Sequence, residues 1–523
     1  MDDDLPTDFQ VIVVGTGMVE SIVAAACSRI GKNVLHLDSS DHYGGLWASY
    51  NFDGLQKFIK EVNSDAKRQE QVYNLKEKWY IEKDSPPAEG EDTKTDDKAD
   101  PQKKIWTQAS FAAEYRKFNI DMTPKLLFSR GPLVELLISS NIARYAEFRC
   151  VTRVLTWLND CLTPVPCSRA DVFATEAVTI LEKRMLMNML TAIVGYSDEE
   201  MENELKEFHD KTLKEYLTHK ELTPNLIHYV LFAIAGGTDK MPCREGVRES
   251  KKFLKSLGRY GNTPFLWPMY GSGELPQCFC RLCAVFGGVY CLNRPIDKVE
   301  HKMEEDGKSV VVIESKSKTL KCEHLVIGIN ECPQELVSPE PMERNDLSKA
   351  VFITNGTIME SEKEPLSLLR FPPLDGDHIV SVLEVGPATG SCPKGLFVVY
   401  FITNKVVDAE TDLMPYAERI FDMSGGDQTQ TTGKPKCLWS LFFNVKDTST
   451  PVKSTADNVH ICCGPDAGLD FDRAVEQAEQ IFKSICPGEE FLPRAPDPEE
   501  IVFEDDATPG PQFQKDEGDD DKE

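Results

Sequence analysis

Gly15-Thr16-Gly17-Met18-Val19-Glu20 follows the apolar run Val11-Ile12-Val13-Val14 and leads into a helix-like stretch ending near Arg29. A strand, a glycine turn and a helix in that order can hold a dinucleotide. Backbone N–H groups at the helix start face the pyrophosphate, and an acid closing the next strand takes a ribose hydroxyl. Asp38, after Val34-Leu35-His36-Leu37, stands 23 residues beyond Gly15 and is placed to be that acid. The third glycine of G-x-G-x-x-G, however, is Glu20. Glutamate is bulkier than the glycine that lets helix and strand pack closely, and its charge opposes phosphate. Gly15, Gly17, Glu20 and Asp38 therefore predict the frame of a cofactor site with no cofactor in it.

Other spacings carry chemistry less directly. Cys278, Cys280 and Cys283 form a C-x-C-x-x-C run, with Cys291 beyond. A tetrahedral metal site needs a second ligand pair at suitable spacing, and none is present. The run lies in the apolar, helix-like segment 275–286, so buried packing is expected and no metal. Glu274 and Arg281 are seven residues apart, two helical turns. Spacing alone allows a solvated pair or a pair of charge-assisted contacts to a partner. Phe173 and Arg184, eleven apart, share a face if one helix runs through both; Phe173 then either closes the helical core or anchors a partner. Met185, Leu186, Met187, Met189 and Leu190 form a Met-rich stripe, which fits core or an adaptable apolar surface.

The elements that position these residues change character along the chain. Residues 9–38 read as β-α-β. From about 111 to 228 helical spacing dominates, with a strand-like interval at 146–158. After about 285 short β-type runs follow one another: 289–292, 310–313, 324–327, 351–354, 379–385, 396–402, 438–443 and 460–463. An amphipathic helix through Ala474, Val475, Ala478, Ile481, Phe482 and Ile485 closes the series. The order predicts a discontinuous α/β domain, 1–65 with 236–503, carrying a mainly helical insertion at 106–235. Residues 82–104 are predicted to be a disordered acidic insertion and 504–523 a disordered acidic tail.

The chain has 523 residues, 41% of them hydrophobic, and a net charge of −28. Segments 82–104 and 504–523 carry −3 and −7, so most of the excess sits on the body. A body that acidic repels phosphate backbones, so nucleic acid is not an expected partner. No signal-peptide pattern, no 18-residue apolar run and no C-terminal prenylation box is visible, and the sixteen cysteines are scattered through apolar segments. Reduced thiols in a cytoplasmic protein are the expectation, with membrane contact only transient.

Two blocks carry a resemblance. One is Gly15-Thr16-Gly17 with Glu20-Ser21, continuing to Asp38 and Tyr43-Gly44-Gly45. The other runs from Ser256-Leu257-Gly258-Arg259-Tyr260-Gly261 to Pro268-Met269-Tyr270-Gly271-Ser272-Gly273-Glu274-Leu275-Pro276-Gln277. Together they resemble the superfamily of Rab GDP-dissociation inhibitors and Rab escort proteins, in which glutamate at the third fingerprint position is the rule. Ala24-Ala25-Ala26-Cys27-Ser28-Arg29, Trp47-Ala48-Ser49 and the segment from Val165 to Phe173 resemble the escort branch.

The resemblance implies a flavoprotein-like α/β fold with an inserted helical domain, and no redox chemistry. It implies a platform for GDP-bound Rab GTPases at Tyr43, Glu274, Arg281 and Cys291. It also implies a contact with the α subunit of the Rab geranylgeranyl transferase α/β heterodimer at Phe173 and Arg184. A groove in the helical domain for the geranylgeranyl lipid on Rab is implied without named residues. The expected role is that of a non-catalytic escort. The alternatives are a dissociation inhibitor, against which Phe173 and the acidic insertion speak, and an FAD-dependent oxidoreductase, against which Glu20 speaks.

Overall fold

The computed structural model describes residues 5–83, 105–167, 171–172, 178–304, 307–338, 345–374, 376–426, 428 and 433–494. Two large sheets organise it. The first runs, in spatial order, Val289–Cys291, Val34–Leu37, Asp8–Val14, Lys318–Gly328, Ser309–Ser315 and Lys298–Met303. Its first four strands are parallel. The long strand Lys318–Gly328 pairs antiparallel with Ser309–Ser315 through its first half and parallel with Val459–Cys462 through its second.

Alternation along Asp8–Val14 fixes what covers each face. Val11 and Val13 meet a helix layer of Met18–Arg29, Glu274–Val285 and Asp472–Ile485, in which the first helix packs on the other two. Ile12 and Val14 face Leu35, Leu37, Val311, Ile313 and Ile327 on the other side. Ala24, Ala25 and Ala26 are fully buried. Their small side chains let Met18–Arg29 lie close to its neighbours.

The second sheet has eight strands, ordered Val72–Trp79, Cys437–Val445, Leu347–Thr354, Phe397–Asn404, Val380–Val385, Ser367–Phe371, Arg153–Leu158 and Cys161–Pro164. Every neighbour pair in it is antiparallel except Ser367–Phe371 with Arg153–Leu158. Helix Ala409–Ile420 covers one face. The other face meets a helical body that includes Ile180–Gly195, Leu213–His219 and Cys243–Lys255.

The α/β fold class agrees with the sequence reading, and each of the eight β-type runs after residue 285 lies on a strand. The partition differs. Within 106–235, Arg153–Leu158 and Cys161–Pro164 belong to the second sheet, and Val72–Trp79 joins it from outside the expected domains. The pairing of Arg153–Leu158 with Ser367–Phe371 spans 214 residues, and local periodicity carries no trace of it. Of the two expected disordered segments, 84–104 and 504–523 lie outside the described residues.

Candidate functional site

Two adjoining sites form around helix Met18–Arg29. The first is the glycine fingerprint. Gly15 takes φ +94° and donates its N–H to Leu37 O at 2.8 Å, which turns the chain from strand to helix. Glu20, 6% exposed, folds back into the space the glycines leave. A Cβ at Gly17 would stand 2.5 Å from Glu20 Oε2, and one at Gly328 would stand 2.5 Å from Glu20 Oε1. Burial pushes the Glu20 carboxyl up to about 7, with Asp38 and Glu331 adding to the rise, and its Oε2 has no hydrogen-bond partner.

Asp38 is committed as well. Its Oδ2 accepts from Thr16 N–H (2.9 Å) and Thr16 O–H (2.6 Å), and its Oδ1 accepts from Ser40 N–H (2.7 Å). The residues do not fit a dinucleotide: a carboxyl stands where the pyrophosphate would approach, and the ribose acid is spent on the glycine turn and its own loop. What is left is a cleft of about 330 Å³ that also touches Trp47, Tyr50, Phe58 and Cys462.

The second site is a groove of about 350 Å³ lined by Tyr43, Tyr145, Glu274, Gln277, Cys278, Cys280, Arg281, Ala284 and Tyr290. Helix Glu274–Val285 is its floor. Residues 274, 277, 281 and 284 recur at helical spacing and face outward, while Leu275, Phe279, Leu282 and Cys283 are buried against the sheet. The motif before the helix aims it. Gly271, at φ +106°, passes so near the short antiparallel pair Ser49–Tyr50 and Ile120–Asp121 that a Cβ there would sit 2.3 Å from Asp121 Oδ1. A Cβ at Gly273 would sit 2.4 Å from Ser49 N. Asp121 accepts from Ser49 O–H (2.5 Å) and Ser272 N–H (2.8 Å), and burial pushes its carboxyl up to about 6.

Charges in the groove are left available. Burial raises the half-buried Glu274 carboxyl above its ordinary value. Arg281 forms no ion pair with Glu274; its guanidinium lies over the Tyr145 ring, 4.8 Å from the centroid. Opposite, Tyr43 meets the edge of Tyr290 at 6.0 Å between centroids. Tyr290 O–H donates to His36 Nδ1 (3.0 Å), and His36 Nε2–H donates to Gly15 O (2.5 Å). Burial lowers His36 to about 4, so the ring is neutral and the arrangement holds at physiological pH. The groove is thus tied by hydrogen bonds to the turn that opens the fingerprint.

The structure brings Tyr43, Glu274 and Arg281 together. Cys291 lies elsewhere: one residue beyond Tyr290 in the same strand and paired with Leu37, its side chain points to the opposite face and packs against the core cluster that holds Leu35 and Leu37. Sequence reasoning missed Tyr145, Gln277 and Tyr290. Gln277 carried a usable signal, its helical spacing from Glu274. Tyr145 comes from a distant turn and carried none. Cys278, Cys280 and Cys283 occupy the helix, where Cys280 and Cys283 hydrogen-bond Ser21 (3.2 Å) and Ser28 (2.9 Å) across the helix pair. Among the described residues no group of three His, Cys, Asp or Glu side chains could hold a metal, and no helix is long and apolar enough to cross a membrane.

Phe173 lies outside the described residues. Arg184 is exposed on Ile180–Gly195, which begins afresh at Thr179. Thr179 and Glu182 form a capping box, so no single helix carries residues 173 to 184 and the expected shared face does not arise in that way. Leu186, Met189 and Leu190 of the Met-rich stripe are core, and Met185 and Met187 are partly buried against it.

The profile of the family described as GDP dissociation inhibitor matches residues 1–83 and 102–412. The chain belongs to that family. A relative from Drosophila melanogaster named "Rab proteins geranylgeranyltransferase component A" is 37% identical, covering 96% of this chain and 93% of its own. Component A 1 of Rattus norvegicus is 34% identical over 97% of this chain and 95% of its own. These place the chain among the component A members. The crystal structure of a Rab GDI from Plasmodium falciparum superposes with a TM-score of 0.64 at 19% identity, covering 93% of this chain and 100% of that one. An oxidoreductase from Methanosarcina mazei gives 0.52 at 10% identity over 91% and 100%. Both likenesses speak for the fold alone, which family members and oxidoreductases share.

Proposed function

We propose that this chain is the accessory component of a Rab geranylgeranyltransferase, an escort that binds GDP-bound Rab GTPases and presents their C-terminal cysteines to the catalytic heterodimer. The observation that carries the reading is the groove that joins Tyr43, Glu274 and Arg281, with relatives matched over nearly their whole length named as component A. An unpaired arginine and a half-buried carboxylate can each make charge-assisted hydrogen bonds to a folded partner, and the tyrosines supply flat amphipathic area. Nothing in this role needs a catalytic group from the chain. Binding fixes the Rab, while its flexible tail stays free to reach the transferase.

The product needs shelter. Each exposed CH₂ of a geranylgeranyl chain costs about 0.8 kcal/mol, so an attached lipid left in water favours aggregation or uncontrolled membrane insertion. Shielding the lipid and delivering the Rab to a membrane from the cytosol complete the role. Contact with the transferase α subunit is assigned to Phe173 and Arg184. Phe173→Ala should cost about 2 kcal/mol of transferase affinity while leaving Rab binding intact.

The deciding experiment is prenylation of an unmodified Rab by purified transferase, with and without this chain. Prenylation that depends on the chain supports the reading. Transferase that works equally well alone, with a chain that only extracts prenylated Rab from membranes, would assign it to the dissociation inhibitors.

A further inference from the structure

Arg281 depends on a residue that no sequence motif includes. Among the described residues its guanidinium makes no ion pair or hydrogen bond, and Glu274 lies two turns away on the same helix. An arginine side chain so placed on an exposed helix face samples many rotamers, and fixing it on binding costs side-chain entropy. One contact restrains it, the Tyr145 ring at 4.8 Å.

Tyr145 is itself firmly placed. It ends the turn Ile142–Tyr145, whose Ile142 is fully buried among residues of the helix layer. Its carbonyl accepts from Cys278 Sγ at 3.4 Å, so the turn is fastened to helix Glu274–Val285 one turn before Arg281. The residue remains 39% exposed and forms one wall of the groove.

We propose that Tyr145 is a positioning residue of the Rab-binding groove. By stacking under Arg281 it holds the guanidinium in the plane in which its N–H edge meets a carboxylate or carbonyl of the partner. The inference rests on the reading of the groove as the Rab site. Stacking engages the π face of the guanidinium and leaves all five donors in its plane free, so orientation is gained with no loss of hydrogen-bonding capacity. The hydroxyl has no part in this, and phenylalanine should serve as well as tyrosine.

The test is a double-mutant cycle on the full chain, read as affinity for a GDP-bound, unprenylated Rab. Tyr145→Leu should weaken binding about five- to ten-fold, whereas Tyr145→Phe should stay within two-fold of the parent. In an Arg281→Ala background, Tyr145→Leu should change affinity less than two-fold, because the group it orients is gone. Full loss persisting in that background would overturn the proposal, since Tyr145 would then contact the Rab directly or support the fold. No loss with Tyr145→Leu, while Arg281→Ala weakens binding, would overturn it too and leave the groove reading intact. If Arg281→Ala has no effect, the groove reading itself fails, and the proposal with it.

Discussion

Glu20 and Glu274 head two sites on adjoining helices, and burial raises both carboxyl groups above their ordinary value. Their surroundings differ in one respect. Around Glu20 the space is made by glycines, and the carboxylate has turned inward to fill it. Around Glu274 the glycines lie behind the helix, where Gly271 and Gly273 let the turn before it seat tightly against Ser49 and Asp121, and Glu274 faces outward. The same residue type thus fills a glycine-lined cleft in one place and lines an open groove in the other. His36 and Tyr290 join the two sites through hydrogen bonds.

The largest expected effect comes from spoiling the glycine that aims the groove. Gly271→Ala must place a Cβ at positive φ and against Asp121 and Ser49. Strain and overpacking each cost roughly 1–3 kcal/mol, so a loss of about 4 kcal/mol in unfolding free energy is expected. Denaturant titration of the two proteins measures it, and a loss under 1 kcal/mol would mean that the loop relaxes freely and aims nothing.

Glu20 should show itself through pH. The folded chain holds the Glu20 proton more tightly than the unfolded chain, with a folded value of about 7 against 4.5. Its contribution to stability is therefore complete below about pH 4.5 and fades as pH rises through 7. Glu20→Gln stays neutral throughout. The stability difference between parent and variant should move by roughly 3 kcal/mol from pH 4.5 to 8, with the variant gaining as pH rises. Asp121 titrates in the same range but cancels in the difference. A flat difference would show Glu20 to be hydrated, and the contrast with Glu274 would lose its basis.

In the groove the expected loss lies in binding and not in folding. Arg281→Ala should weaken Rab affinity by about 2 kcal/mol, and Glu274→Ala by about the same, with melting temperatures within a degree or two of the parent. Both residues have their polar ends in the groove, so little packing is lost. Unchanged affinity with a lowered melting temperature would make the pair structural.

How legible this was depends on sequence distance. The fingerprint strands and helix, the strand series after residue 285 and helix Glu274–Val285 follow from local period, because alternation and 3.6-residue spacing are imposed by the face each element buries. Glu274 and Arg281 share one helix, so their shared face could be read directly. Tyr43 entered through motif likeness, and only the fold brings it beside them. The pairing of Val72–Trp79 with Cys437–Val445 and of Arg153–Leu158 with Ser367–Phe371 joins segments hundreds of residues apart, which no window can contain. Tyr145 was hidden for the same reason. The turn at Thr179 was written in its capping box with Glu182, a local signal that the reading of residues 173–184 as one face passed over.

Cys291 provides the smallest and sharpest test of the contrast. Its neighbour Tyr290 faces the groove, and strand alternation sends Cys291 to the other side of the sheet, against the core cluster that holds Leu35 and Leu37. Its main-chain oxygen accepts from Asp38 N–H at 3.1 Å, a bond that no side-chain change removes. Cys291→Ala should therefore leave Rab affinity within about 0.3 kcal/mol of the parent and lower stability by roughly 1 kcal/mol, the cost of a small, partly buried side chain. Tyr290→Leu, one residue away, should differ by losing binding, along with the stability lost when the buried His36 Nδ1 is left without its donor. It removes the edge against Tyr43 and the donor to His36, and about 1 kcal/mol of binding should go with them. Measured together by calorimetry on the same Rab, the two substitutions ask whether one strand serves the groove with one face and the core with the other. Loss of affinity at Cys291 equal to that at Tyr290 would show that the partner reaches past the groove to the sheet edge, and the platform would then be wider than the helix that floors it.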